Sequence, residues 1–331
     1  MHIGIVIGTR PQYIKIKPLY DYLVSNHIKF TIIDSNQHYS NSVSKIFIDE
    51  LGLEIDKNIN AKHDHANIFI GDFISKLHQY VNGSTIDRLL VIGDTNTTLA
   101  ASIMAHNANM PIGHIEAGIR CGDHNRPEEV NRIIVDELSD IHFTSREKDS
   151  INVRNGVYVG DLEYYYINKN IDISNITYED WLLMTIHRAE NTNPDRVKYI
   201  LQCCDQTNTK IIFPIHHRTK NIIKEYSINI PDNIKVIEPV GYFKMIELIS
   251  QCRGIVSDSG GVTKISPIFG KKSIIPLNTN EWNDLLDYGY AKLGMDLSWI
   301  LDDYSIKPKP DLYLNNKACE IIASTITSME T

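Results

Sequence analysis

Through the first half of the chain, short runs of Ile, Val and Leu alternate with longer stretches in which apolar residues recur every three or four positions. The runs at 2–8, 29–34, 88–93, 111–115 and 141–144 are compact and nearly free of charge, the pattern of strands buried on both faces. The stretches at 13–25, 41–51, 66–81, 96–107 and 128–139 predict amphipathic helices between them. Such alternation implies a parallel sheet covered by helices on both sides. The rhythm breaks across Glu163–Asp180, a segment with four Tyr and several Asn, which reads as an interdomain connection. It resumes with strands at 181–186, 209–214, 234–238, 253–257 and 272–276, and with helices at 194–206, 218–226, 242–250 and 261–269. A last amphipathic helix, about 314–328, closes the chain. The expected fold is α/β: two doubly wound domains, 1–165 and 175–312, with 313–331 a candidate to pack back on the N-terminal domain. Two such units facing each other would set a ligand in the cleft between their strand ends.

Composition narrows the partners. Lys and Arg number 33 against 41 Asp and Glu, a net charge of −8, which argues against nucleic acid or an anionic membrane as the main partner. A basic pocket for a phosphorylated substrate stays compatible with it. The five cysteines are odd in number and form no disulfide framework or CxxC pair, so a reducing, cytoplasmic compartment is expected. The opening run Ile3-Gly4-Ile5-Val6-Ile7 lacks a basic leader and reads as a strand, and no stretch reaches the length of a membrane span.

Candidate chemistry gathers where strands end. Asp94 and Glu116 each follow an apolar strand, and Glu128 sits just after Pro127 in the first turn of a helix. Three carboxylates could converge there, and crowded, partly buried carboxylates divide into a base and a proton holder. Each has a plainer alternative: Asp94 as a helix cap, Glu128 as a complement to a helix dipole. Ser257-Asp258-Ser259-Gly260-Gly261 joins a strand to a helix, a natural phosphate seat, although Gly-rich turns also arise for steric reasons. It is not GxGxxG, so a dinucleotide cofactor is not expected. His187-Arg188 and His216-His217-Arg218 follow successive strands and suit a diphosphate or a leaving group in need of a proton. The loop Gly8-Thr9-Arg10-Pro11-Gln12 adds a cation at the first strand end. His63-x-His65 has no partner spacing, and no metal site is expected.

Taken together these residues resemble the non-hydrolysing UDP-N-acetylglucosamine 2-epimerase family. The match runs through Gly8-Thr9-Arg10-Pro11, Gln37-His38, Gly93-Asp94-Thr95, His114-Ile115-Glu116-Ala117-Gly118 and Pro127-Glu128-Glu129-x-Asn131-Arg132. It continues through His187-Arg188-x-Glu190-Asn191, Pro214-Ile215-His216, Ser257-Asp258-Ser259-Gly260-Gly261 and Glu281-Trp282, and looks most like the branch acting on UDP-acetamido sugars of surface polysaccharides. The resemblance implies a GT-B-like pair of Rossmann-like domains, a UDP-sugar substrate, no cofactor, and commonly a homodimer. It implies Asp94, Glu116, Glu128 and His216 as the catalytic set. Substrate would be held by Arg10, Gln37, Arg132, His187, Arg188, Ser259, Gly260, Gly261 and Glu281. One departure stands out: the family's ribose-binding Glu is here Ile265, which cannot accept those hydrogen bonds. The competing readings are a hydrolysing 2-epimerase, a GT-B glycosyltransferase, and a UDP-sugar-binding protein without turnover.

Overall fold

The computed structural model describes residues 1–37, 48–62, 65–173, 178–302 and 306–329. The expected helix at 41–51 falls mostly outside them, as do His38 and His63. The chain divides into two compact units, Met1–Asn170 with Tyr313–Thr331, and Ile171–Leu312.

The first unit holds β1 (Ile3–Ile7), α1 (Arg10–Ser25), β2 (Phe30–Asp34), β3 (Lys57–Asn58), α2 (Ala66–Asn82), β4 (Arg88–Ile92), α3 (Asn96–Asn107), β5 (Ile112–Ile115), α4 (Pro127–Leu138), β6 (Ile141–Thr144), β7 (Gly156–Tyr158) and α5 (Leu162–Asn170). Its sheet is parallel throughout, in the order β3-β2-β1-β4-β5-β6-β7. β1 lies between β2 and β4 with all five residues buried, which is why its sequence is an unbroken apolar run. On one face Phe69, Phe73, Leu77 and Val81 of α2, spaced as a helical stripe, meet Ala100, Ala101 and Met104 of α3 over Val6 and Val91.

The second unit holds β8 (Leu182–Thr185), α6 (Pro194–Asp205), β9 (Ile211–Pro214), α7 (His217–Glu225), β10 (Ile234–Ile237), α8 (Tyr242–Gln251), β11 (Gly254–Ser257), α9 (Gly260–Ile265), β12 (Ser273–Ile275), α10 (Asp284–Asp287), β13 (Ala291–Leu293) and α11 (Ser298–Leu301). Its parallel sheet runs β10-β9-β8-β11-β12-β13, so each unit reverses strand order beside its first strand, the doubly wound topology. The closing helix α12 (Ala318–Ser328) belongs to the first unit, where Ile326 rests on Gly113 of β5; a Cβ on that glycine would come within 2.9 Å of it.

Several boundaries differ from the sequence pattern. Arg10, Pro11 and Gln12 are not loop but the first turn of α1, because Thr9 and Gln12 form a capping box and Pro11 suits that turn. The segment from Glu163 opens with α5, whose Tyr164, Tyr166 and Ile167 are buried, and Tyr164 stacks edge-on with Tyr313. The helix expected to run to 269 leaves α geometry after Ile265, where Pro267 lacks the N–H that would continue it, and ends at Gly270 with φ +62°. The edge strands β3, β7 and β13 are two or three residues long, too short to show a period. No helix among the described residues is long and apolar enough to cross a membrane.

Candidate active site

In the first unit the site is built on loops that leave β1, β4 and β5 and on the inner face of α4. Glu116 follows β5 in the left-handed region, φ +64°, between Ile115 and Ala117, and is 7% exposed. A residue with a Cβ adopts this conformation at a cost of about 1–3 kcal/mol, so the surrounding structure must hold it there. Its Oε2 lies 2.5 Å from Lys15 Nζ of α1, and a Cβ placed on Gly93 would be 3.5 Å from the same oxygen. The Glu116 carboxylate therefore borders the residue that precedes Asp94.

Asp94 pairs with Arg132 of α4. The backbone carbonyl of Asp94 accepts from Asn131 Nδ2 at 3.0 Å. The other arm of Arg132 reaches Glu129 Oε2 at 3.1 Å, and Glu129 accepts the N–H groups of Cys121 and Gly122 at 2.9–3.0 Å. Arg132 is 3% exposed and Glu129 1%, so this guanidinium is an internal tether between two carboxylates. Glu128 lies exposed on the first turn of α4.

Arg10 opens α1 and is half-buried, and burial pushes its guanidinium below the ordinary value. Gln12 ties that turn to the loop after β4. Its Oε1 accepts from the N–H groups of Gly8 and Thr9, and its Nε2 donates to the Ile92 carbonyl at 2.8 Å and to Thr98 Oγ1 at 3.0 Å. Gln37 accepts the amide and hydroxyl of Thr97 in the first turn of α3, at 3.0 and 2.7 Å, so its carbonyl oxygen serves the fold.

In the second unit the organising group is Asp258, 2% exposed after β11. It accepts the N–H groups of His187 and Arg188, His187 Nδ1 at 3.0 Å and Asn191 Nδ2 at 3.0 Å. Burial alone would raise this carboxyl, but these donors, led by His187, hold it below the usual carboxylate range. With Nδ1 facing Asp258, the His187 side chain remains 38% exposed. His216 caps α7 through Nδ1, which accepts the Arg218 N–H at 3.3 Å; a neutral ring then carries its proton on Nε2 and can donate it. The His187 and His216 rings are 5.6 Å apart.

Arg188 and Glu281 pair with each other, Nη2 to Oε1 at 3.1 Å, and a Cβ on Gly260 would come within 3.3 Å of Glu281 Oε2. Ser259, Gly260 and Gly261 open α9, and Ile265 at its end is 3% exposed and apolar. Asp94 and Glu116 thus stand just after β4 and β5, and His187, His216 and Ser259 after β8, β9 and β11, whereas Arg10, Glu128 and Arg132 lie on helices. The structure adds Lys15, Gln12, Glu129 and Asp258, whose roles the sequence did not reveal. One signal was present: Glu129, Arg132 and Asp136 recur at i, i+3 and i+7, a charged stripe on the buried face of α4.

Two doubly wound parallel units, each with ionisable side chains collected at strand carboxyl ends, define an α/β enzyme of Rossmann-like type. A family profile described as UDP-N-acetylglucosamine 2-epimerase matches residues 23–327. A UDP-N-acetylglucosamine 2-epimerase homolog of Methanococcus maripaludis is 34% identical, with 95% of this chain and 94% of the relative covered. The UDP-2,3-diacetamido-2,3-dideoxy-D-glucuronate 2-epimerase of Pseudomonas aeruginosa is 30% identical, with 87% of each chain covered. The crystal structure of Methanocaldococcus jannaschii UDP-GlcNAc 2-epimerase in complex with UDP-GlcNAc and UDP matches with a TM-score of 0.86 at 30% identity, over 99% of this chain and 100% of that one. The chain belongs to the UDP-N-acetylglucosamine 2-epimerase family.

Proposed function

We propose that the protein interconverts a UDP-2-acetamido sugar, UDP-GlcNAc or a modified relative, with its 2-epimer, without hydrolysis and without a cofactor. A base takes the proton from sugar C2 while the C1–O bond to UDP breaks, and the electron pair forms the C1=C2 bond of a 2-acetamidoglucal. Return of the UDP oxygen to C1, with a proton delivered to C2 from the opposite face, completes the exchange. No electrons are gained or lost. Asp94, Glu116 and Glu128 form the acid–base set, since a weakly acidic C–H needs positioned bases on both faces. His216, with its proton on Nε2, assists the departing diphosphate. Arg10, Ser259, Gly260 and Gly261 hold the UDP phosphates, and His187 and Arg188 line the same nucleotide site. With Ile265 apolar, Glu281 takes the ribose hydroxyls in its stead; its closeness to Gly260 supports this reading.

The observation that carries this reading is Glu116. It is a carboxylate held left-handed at a strand end, paired with Lys15 and bordering the residue before Asp94. Incubation with UDP-GlcNAc and with UDP-acetamido-dideoxy sugars in deuterium oxide, followed by NMR, is expected to give a 2-epimer carrying deuterium at C2, with UDP retained. Free sugar would favour the hydrolysing reaction, and no change with any candidate would overturn the proposal. Glu116→Gln is expected to lower turnover by roughly 10²–10⁴-fold while UDP still binds; wild-type turnover in that variant would remove Glu116 from the acid–base set.

A further inference from the structure

Behind the proposed acid–base carboxylates lies a second set of charges, His114, Asp136 and Arg120. His114 is 0% exposed and Asp136 5%. Nε2 of His114 is 2.8 Å from the Gly93 carbonyl oxygen and Nδ1 is 2.7 Å from Asp136 Oδ1. A carbonyl only accepts, so Nε2 carries a proton. The other ring nitrogen meets a carboxyl group. Burial alone would raise that carboxyl, but the hydrogen bond and charge of His114, with Arg120, hold it below the ordinary range. With Asp136 ionised as the acceptor, the two contacts together call for an N–H on each ring nitrogen.

The second oxygen of Asp136 accepts the Gly118 N–H at 3.1 Å and lies 2.6 Å from Arg120 Nη1. The backbone carbonyl of Asp136 accepts from His142 Nε2 at 2.6 Å, which seats this turn of α4 against β6. One hydrogen-bonded line therefore runs from the Gly93 carbonyl, through the ring and the carboxylate, to the Gly118 amide. Gly93 precedes Asp94, and Gly118 stands two residues after Glu116. Gly93, Glu116 and Gly118 are all left-handed, at φ +70°, +64° and +77°. Gly118 is also pinned from its far side, because a Cβ there would meet the Asp149 carbonyl oxygen at 2.3 Å. A neutral ring has one N–H and would lose one of the two links.

We propose that the His114–Asp136 pair is a charged clamp that sets the positions of Asp94 and Glu116, making both positioning residues for the reaction. This rests on the epimerase reading above, and two readouts keep the failures apart. In protein labelled with ¹⁵N-histidine at pH 7.5, the His114 signals, assigned by their loss in His114→Gln, are expected to show both ring nitrogens protonated. A ring with one bare nitrogen overturns the clamp whether or not the protein turns over. In kinetics, His114→Gln and Asp136→Asn are expected to lower kcat and C2 deuterium incorporation by roughly ten- to a hundredfold, with KM and UDP-binding stoichiometry retained. A merely structural lesion would instead lower the stoichiometry, and either that outcome or wild-type kcat in both variants overturns the proposal. Wild-type turnover in deuterium oxide is measured first. An inactive wild type removes the epimerase reading and, with it, the positioning role.

Discussion

At the scale of single residues, this protein depends on side chains that are missing as much as on those present. Gly8, between β1 and α1, leaves room for the Ser35 and Thr97 hydroxyls, which meet at 2.6 Å. A Cβ at Gly8 would sit 1.9 Å from one hydroxyl oxygen and 2.6 Å from the other. Gly8→Ala is expected to cost about 1–3 kcal/mol, read as a lower denaturant midpoint at unchanged slope. A midpoint equal to wild type would show that the hydroxyl pair yields freely. Gly8 stood out in the sequence as part of a strand-end loop and of a family motif. Its necessity comes from Ser35 and Thr97, which lie far from it along the chain. Arg132 teaches the same lesson in reverse. Its charge was legible, but its partners Asp94 and Glu129 make it a tether.

At the scale of elements, α12 is held by one buried cation. Arg88 of β4 donates to the carbonyl oxygens of Ile326 and Met329 at 2.7 and 3.0 Å, at the end where a helix leaves its carbonyls without internal partners. Arg88→Met keeps the stem that packs in the sheet and removes those donors. Amide exchange near the end of α12 is expected to rise by roughly ten- to a hundredfold, with exchange in α6 unchanged. Equal protection in both proteins would mean that Ile326 packing on Gly113 alone secures the helix. The helical period foretold α12 because amphipathicity is local. Its tie to Arg88 spans 238 positions and leaves no local trace.

At the scale of the whole molecule, buried groups predict two bulk responses. Cys204, Cys252 and Cys319 are buried, and burial pushes each thiol up to about 12, while Cys121 and Cys203 are half-buried. A thiol reagent should modify no more than two of the five cysteines in the native protein and all five after denaturation. Labelling of a third in the folded protein would contradict this burial. Asp136 in one unit and Asp258 in the other are both held below their ordinary values. A depressed carboxyl contributes stability above its unfolded value, near 3.9, and loses it as pH falls through the folded value. Tm is therefore expected to stay level from neutral pH to about 5 and to drop below about 4, with a smaller drop in Asp258→Asn. An identical acid slope in that variant would exclude Asp258 as a source.

Sequence alone determined the alternation of strands and helices, the α/β class and the strand-end blocks on which the family resemblance rests, because apolar runs, helical periods and short motifs are properties of neighbouring residues. The tertiary structure decided which charges meet. Lys15 with Glu116, Arg132 with Asp94, and His114 with Asp136 are 101, 38 and 22 positions apart, and each pair forms because a helix packed on the sheet meets the end of a parallel strand. A sequence records that a carboxylate stands at a strand end. Only the packed sheet and helices determine whether its neighbour is solvent, a lysine or a buried histidine.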